Sequence, residues 1–331
     1  MTPVAAVVDT VRGWLAGLAL ARAIYAPPAA AAPARTPADL GLAFEPRTWL
    51  TSRDRLTVAA WWVPGSGPDA VVVSHGMGDS RDRVLEHVRM LHEAGFSVLA
   101  YDNRNHGASQ ASRRTWRMAT RFTGDLLDAV SQVRREVAPG ARVGVLAFSF
   151  SCWPALRAAR VEGAAVDAVV CDSGPVVDIA AVVARLARLR AATLPERLRT
   201  GPGLRALQAS ARSWALTLLH QPDWPLTGDG PPVLFVTGAR DGVLTSEEVL
   251  ALAAVTPRSD TWVVPRAGHL RALAVAGPRY AHRVGGFLRT GAQPVDEVTS
   301  SGEAPVSGET PVPTGASTPG GPATERGVGH G

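Results

Sequence analysis

Apolar positions in this chain fall into short runs whose period changes along the sequence. Residues 44–50 and 56–63 read as two strands around the turn Thr51-Ser52-Arg53-Asp54, and Gly65-Ser66-Gly67-Pro68-Asp69 turns into a third at 70–74. Apolar strands then alternate with amphipathic helices: helix near 81–94, strand 97–101, helix near 117–137, strand 142–147, helix from 150, strand 167–171. Strands that are apolar throughout are buried on both faces. The alternation therefore predicts an α/β fold: a mainly parallel sheet of about eight strands covered by helices on both sides, with the first two strands as its antiparallel edge. Residues 175–230 interrupt the rhythm with helical Ala/Leu/Arg sequence and read as an inserted helical lid. Strand 232–237, helix 246–254, strand 261–264 and a final helix near 272–288 complete the pattern.

The two ends differ in texture. Val4, Val7, Val8, Val11, Leu15, Leu18 and Ile24 recur at helical spacing, interrupted by Asp9, Arg12 and Arg22. The uncharged run 13–21 is too short for a membrane span, so residues 4–26 are expected to form an amphipathic helix lying on a membrane surface as a peripheral contact, or on the domain itself. An Ala/Pro linker follows at 27–37. The expected organisation is thus an N-terminal segment over 1–38, a single domain of catalytic size over 39–290 with its lid at 175–230, and a disordered Gly/Pro/Ser/Thr-rich tail over 291–331. The location expected from these features is the cytoplasm or a membrane surface rather than secretion.

Composition narrows the chemistry. The net charge is +5, and all 34 of the Lys+Arg residues are Arg. That bias points to high-GC coding DNA, and no basic cluster is interleaved with aromatics, so no nucleic-acid partner is expected. Arginines of the lid, among them Arg185, Arg188 and Arg212, are read as a solvated face. Cys152 and Cys171 provide neither a disulfide framework nor metal-ligand spacing; they are read as reduced core thiols, and no metal or other cofactor is expected.

Open α/β sheets carry their chemistry at the carboxyl ends of the strands. Ser149 follows the fifth strand in Ala147-Phe148-Ser149-Phe150-Ser151, Asp241 follows the seventh in Gly238-Ala239-Arg240-Asp241-Gly242, and His269 follows the eighth in Ala267-Gly268-His269. A serine hydroxyl becomes a useful nucleophile only when an imidazole accepts its proton, and that imidazole needs a carboxylate to fix its tautomer. Asp172, at the tip of the sixth strand, is the rival carboxylate. A fourth tip, Ser74-His75-Gly76-Met77-Gly78-Asp79, has glycines that allow backbone N–H groups to point into a site. The N–H groups of Met77 and Phe150 are assigned to an oxyanion hole. His75, Gly76, Gly78 and Trp153 are the expected substrate-contacting positions, with His75 and His106 also read as structural hydrogen-bonders that shape their loops. Gly76-x-Gly78 also imitates a dinucleotide fingerprint, but Arg81 stands where the third glycine belongs.

These motifs make residues 42–290 resemble the α/β-hydrolase superfamily of serine hydrolases. His75-Gly76-Met77-Gly78 is similar to its oxyanion loop, and Asp102-Asn103-Arg104-Asn105-His106-Gly107-Ala108-Ser109 to its D-x-R-G-x-G-x-S turn. Elbow, acid and histidine follow in family order. The resemblance implies an esterase, lipase or thioesterase that works on a small-molecule acyl substrate without a cofactor. An acyltransferase or peptidase on the same triad, or a non-catalytic interaction protein, are the other readings. The chain departs at Ala147 and Ser151, where the elbow normally has glycine, and at Asn105. Narrowing of the pocket floor by the extra Cβ atoms is the expected consequence, so that Ser151→Gly leaves activity intact or raises it.

Overall fold

A computed structural model describes residues 3–27, 33–112, 114–161, 163–221, 223–226 and 229–293. Part of the Ala/Pro linker and nearly all of the C-terminal tail lie outside these residues. The strands are β1 (Glu45–Leu50), β2 (Thr57–Val63), β3 (Ala70–Ser74), β4 (Ser97–Tyr101), β5 (Val143–Phe148), β6 (Ala168–Asp172), β7 (Val233–Gly238) and β8 (Ser259–Val264). They form one sheet in the order β1-β2-β4-β3-β5-β6-β7-β8. β2 is antiparallel to both β1 and β4, and every other pairing is parallel.

Alternation along the strands divides the core into two layers. Val72, Val145, Val169, Cys171 and Phe235 face one layer, and Val71, Val73, Leu146, Val170 and Leu234 face the other. The helices that cover the sheet are α2 (Leu85–Glu93), α3 (Met118–Glu136), α4 (Cys152–Ala158), α7 (Ser246–Ala254), α8 (Ala272–Ala276) and α9 (Pro278–Thr290), while α1 (Pro3–Tyr25), α5 (Ile179–Ala191) and α6 (Gly201–Leu219) stand apart from it. Leu126, Ala129 and Val130 of α3 join the first layer, and Val88, Leu91, Val284 and Phe287 of α2 and α9 join the second. The single final helix expected near 272–288 is two helices. Gly277, at φ +50° with Pro278 following it, ends the first and opens the second.

The N-terminal segment packs on the domain through a face other than its valines. α1 is helical as its period predicts, but the apolar positions Val4, Val7, Val8, Val11 and Leu15 point outward and are exposed. Its buried face is made of Gly13, Gly17, Ala21, Ile24 and Tyr25. The reason is close helix–helix approach: a Cβ on Gly13 would lie 2.1 Å from the Gly203 carbonyl oxygen, and one on Gly17 would lie 2.4 Å from that of Leu207. α1 therefore runs alongside α6 in the same direction, held also by hydrogen bonds from Tyr25 Oη to the Ala215 carbonyl (2.9 Å) and from Ser210 Oγ to the Trp14 carbonyl (2.7 Å). α1, α5 and α6 share a third apolar cluster with Phe122, Phe150 and Trp153, which seats the inserted helices over the tip of β5.

Candidate active site

β5 ends at Phe148, and the next residue, Ser149, has φ +50°. A non-glycine residue there costs on the order of 1–2 kcal/mol, and persists because packing on both sides fixes it. The helix expected from residue 150 begins as a 3₁₀ turn, Ser149–Ser151, before α4. Ala147 is fully buried, paired with Ser74 of β3 on one side and Cys171 of β6 on the other. A small side chain fits between these strands, so alanine keeps the turn that glycine usually makes. Cys152 and Cys171 are free and buried, and burial pushes the Cys152 thiol pKa up.

The loops after β5, β7 and β8 converge. His269 Nε2 lies 3.0 Å from Ser149 Oγ, and His269 Nδ1 lies 2.8 Å from Asp241 Oδ2. The carboxylate fixes the tautomer: Nδ1–H donates to Asp241, leaving Nε2 to accept from the serine hydroxyl. The other Asp241 oxygen accepts the backbone N–H groups of Val243 (2.8 Å) and Leu244 (2.9 Å), which orients it toward the imidazole.

Asp172 lies behind this chain of hydrogen bonds. Its oxygens accept from Tyr280 Oη (2.7 Å) and Ser173 Oγ (2.9 Å), and Ser173 Oγ accepts the N–H of Leu270, the residue after His269, at 3.0 Å. Burial raises the Asp172 pKa to about 6, opposed by those two donors. The sequence signal for this support was weak, because Tyr280 is 108 residues away on α9.

The oxyanion-loop candidates occupy the neighbouring tip of β3. His75 is fully buried, with Nδ1 2.7 Å from the Gly76 carbonyl and Nε2 3.0 Å from the N–H of Asn103. Burial lowers its pKa to about 3, so the ring is neutral. His75 is thus turned into the protein and lines no part of the cavity, which fits a hydrogen-bonder that shapes its loop and not a substrate contact. Gly76 and Gly78 are likewise absent from the cavity lining. Gly78 instead donates its N–H to His106 Nε2 at 3.0 Å. Ser151 is also fully buried beneath the site rather than on a pocket floor: its hydroxyl donates to the His75 carbonyl at 2.5 Å, and Asn103 Nδ2 reaches the same carbonyl at 3.1 Å. The elbow and the loop bearing Met77 are tied together by a side chain that glycine could not supply. Asp102 accepts from the backbone and guanidinium of Arg81, which stacks over Trp61 at 4.4 Å; the apparent dinucleotide motif is thus closed by an internal ion pair.

Ser149 and His269 open onto a cavity of about 240 Å³ lined by Met77, Phe150, Trp153, Pro175, Val176, Val182, Leu186, Val243 and Leu244. Val182 and Leu186 come from α5, so the insertion builds one wall. Trp153 lines the cavity, and its buried indole N–H has no hydrogen-bond partner among the described residues. The aliphatic wall residues were not legible, since hydrophobic positions on an inserted helix do not announce which of them face a cavity.

Residues 67–217 match the model of a family described as serine aminopeptidase, S33. A monoglyceride lipase of Rattus norvegicus is 31% identical over 111 residues, which cover 33% of this chain and 36% of that protein. The match therefore spans little more than a third of the relative's length. Among solved structures, an esterase of Pyrococcus furiosus superposes with a TM-score of 0.59 at 25% identity, over 78% of this chain and 96% of that one. A thermophilic esterase of Thermogutta terrifontis shares the fold at 21% identity and a TM-score of 0.55, over 74% of this chain and 98% of that one. The sheet order, the positions of Ser149, Asp241 and His269 at successive strand tips, and these likenesses agree: the chain has the α/β-hydrolase fold.

Proposed function

We propose that the protein hydrolyses carboxylic esters or thioesters of apolar acids through an acyl-enzyme. The observation that carries this reading is the Ser149–His269–Asp241 hydrogen-bonded chain opening onto an aliphatic cavity. Ser149 Oγ attacks the acyl carbon while His269 Nε2 takes its proton; the imidazolium, held by Asp241, then protonates the leaving alcohol or thiol. Water repeats the sequence in reverse and releases the acid. The N–H groups of Met77 and Phe150 are the donors assigned to the oxyanion. The S33 family likeness raises a peptidase reading, but the described cavity wall has no carboxylate that would hold a substrate amino group. Uncharged acyl substrates fit such a wall, and the monoglyceride lipase and esterase likenesses point the same way.

Cavity size sets an expectation for chain length. At about 30 Å³ per methylene- or water-sized group, a volume of about 240 Å³ holds roughly eight of them. Assayed on p-nitrophenyl esters from acetate to palmitate, kcat/KM is expected to rise to a maximum at medium chains and to fall at palmitate. A maximum at acetate would remove the apolar-acyl assignment.

The contact from Ser151 to the His75 carbonyl makes a prediction opposite to the one drawn from sequence. Ser151→Gly and Ser151→Ala are expected to lower kcat about tenfold, the scale of one lost buried hydrogen bond, with KM little changed. Unchanged kcat in both variants, measured by steady-state kinetics, would show that the loop keeps its geometry without this hydroxyl.

A further inference from the structure

We propose that the outward face of α1 docks the folded protein onto the surface of an anionic lipid bilayer, with the helix lying in the plane of the interface. Three observations carry this together. First, α1 is long and apolar enough to qualify for a membrane by length and composition. Val4, Val7, Val11 and Leu15 are 73%, 63%, 54% and 56% exposed, and Val8 and Trp14 are exposed between them. At 100° per residue these six positions form one continuous stripe about a third of the helix circumference wide, an apolar surface that water disfavours.

Second, the opposite face is committed elsewhere. Gly13, Gly17 and Ala21 are buried; the two glycines meet the backbone of α6, and the hydrogen bonds of Tyr25 and Ser210 fasten the two helices together. A helix so fastened cannot cross a bilayer without leaving α6, whereas it can lie flat with its outer stripe among the acyl chains. Third, arginines outnumber acidic residues on α1 and the turn beside it. Arg12 and Arg22 on α1 are exposed, and so are Arg197, in the 3₁₀ turn Glu196–Leu198 next to which α1 packs, and Arg199 just after it; the acidic residues among them are Asp9 and Glu196. Arginine stems lie along apolar surface while their heads reach phosphate, the arrangement an anionic headgroup layer complements. Together these features favour a lipid surface over a second copy of the chain, which would have to oppose these arginines to each other.

If the acyl-ester reading above holds, the same contact brings a lipid phase to the insertion whose α5 lines the cavity. Docking itself does not depend on that reading, and the Ser149→Ala variant is expected to bind vesicles as the unaltered protein does.

The test is co-sedimentation of the full chain with vesicles of pure phosphatidylcholine and of phosphatidylcholine with phosphatidylglycerol, alongside turnover of a soluble p-nitrophenyl ester. Binding is expected to the anionic vesicles and to weaken at high salt. The double variant Val7→Glu/Val11→Glu, changed only at exposed positions, is expected to lose at least tenfold in partitioning while soluble-ester turnover and thermal midpoint stay unchanged. Arg12→Glu/Arg197→Glu is expected to lose at least fivefold per arginine removed, about the contribution of one basic residue near an anionic surface. Equal partitioning of unaltered and Val7→Glu/Val11→Glu protein, or no binding of the unaltered chain to either vesicle, overturns the proposal. So does conversion of a dimer to a monomer by the valine variant with vesicle binding untouched, which would assign the face to a second copy. Resistance of the cellular protein to alkaline carbonate extraction would assign α1 to a span and likewise overturn it.

Discussion

Replacing Ser149 with alanine is expected to abolish covalent labelling by a fluorophosphonate and to lower ester turnover on the order of 10⁴-fold or more. The physical reason is local. Ser149 Oγ is the hydroxyl that His269 Nε2 can deprotonate, at 3.0 Å, and the positive φ of Ser149 holds it above the start of α4 at the cavity mouth. Ser151, two residues on, offers no substitute, because it is fully buried with its hydroxyl committed to the His75 carbonyl. Removing the Ser149 oxygen deletes the bond-forming atom while leaving the fold intact, so circular dichroism and thermal midpoint should barely move. If the alanine variant is labelled as the unaltered chain is, the nucleophile is another residue and the proposed mechanism fails.

The second large effect separates the two carboxylates that the sequence offered. Asp241→Asn is expected to lower kcat by roughly 10³–10⁴-fold, whereas Asp172→Asn is expected to cost less than about tenfold. Asp241 accepts at both oxygens, from His269 Nδ1 on one side and two backbone N–H groups on the other. An asparagine amide must turn a donor toward one of those donors, so either the loop loses its anchor or the imidazole takes the wrong tautomer. Asp172 reaches His269 only indirectly, through Ser173 and the N–H of Leu270. Steady-state kinetics of the two variants on one ester decide the matter; equal losses would mean that Asp172 shares the orienting role.

Much of the layout was legible because strand burial leaves a strong periodic signal. Val71-Val72-Val73 and Val143 to Phe148 are apolar at consecutive positions, which only a sheet covered on both faces requires, and the turns between elements carry Gly, Pro, Asp and Ser. Ser149, Asp241 and His269 could be singled out because each follows such a strand, and the structure brings their side chains within hydrogen-bond distance. The errors and the choices left open share a different cause. From its place beside Gly76, His75 could be a substrate contact or a loop-shaping hydrogen-bonder, and its direction is set by Asn103, on the neighbouring strand tip. Ser151 looked like an imperfect glycine until the His75 carbonyl supplied its partner. The valines of α1 fitted either a membrane surface or the domain; glycines took the packing face, since only they let two helix backbones approach so closely.

The sequence by itself determined the order of the elements, the parallel sheet buried on both sides, and the strand tips at which reactive side chains stand. These follow from local period and turn chemistry, which each segment carries within itself. Only the tertiary structure decided which carboxylate meets His269, that Ser151 ties the elbow to the loop after β3, which face of α1 is left outside, and how the insertion walls the cavity. Each of these depends on a partner brought near by the fold from far along the chain, and no local pattern encodes the direction in which a side chain will meet it.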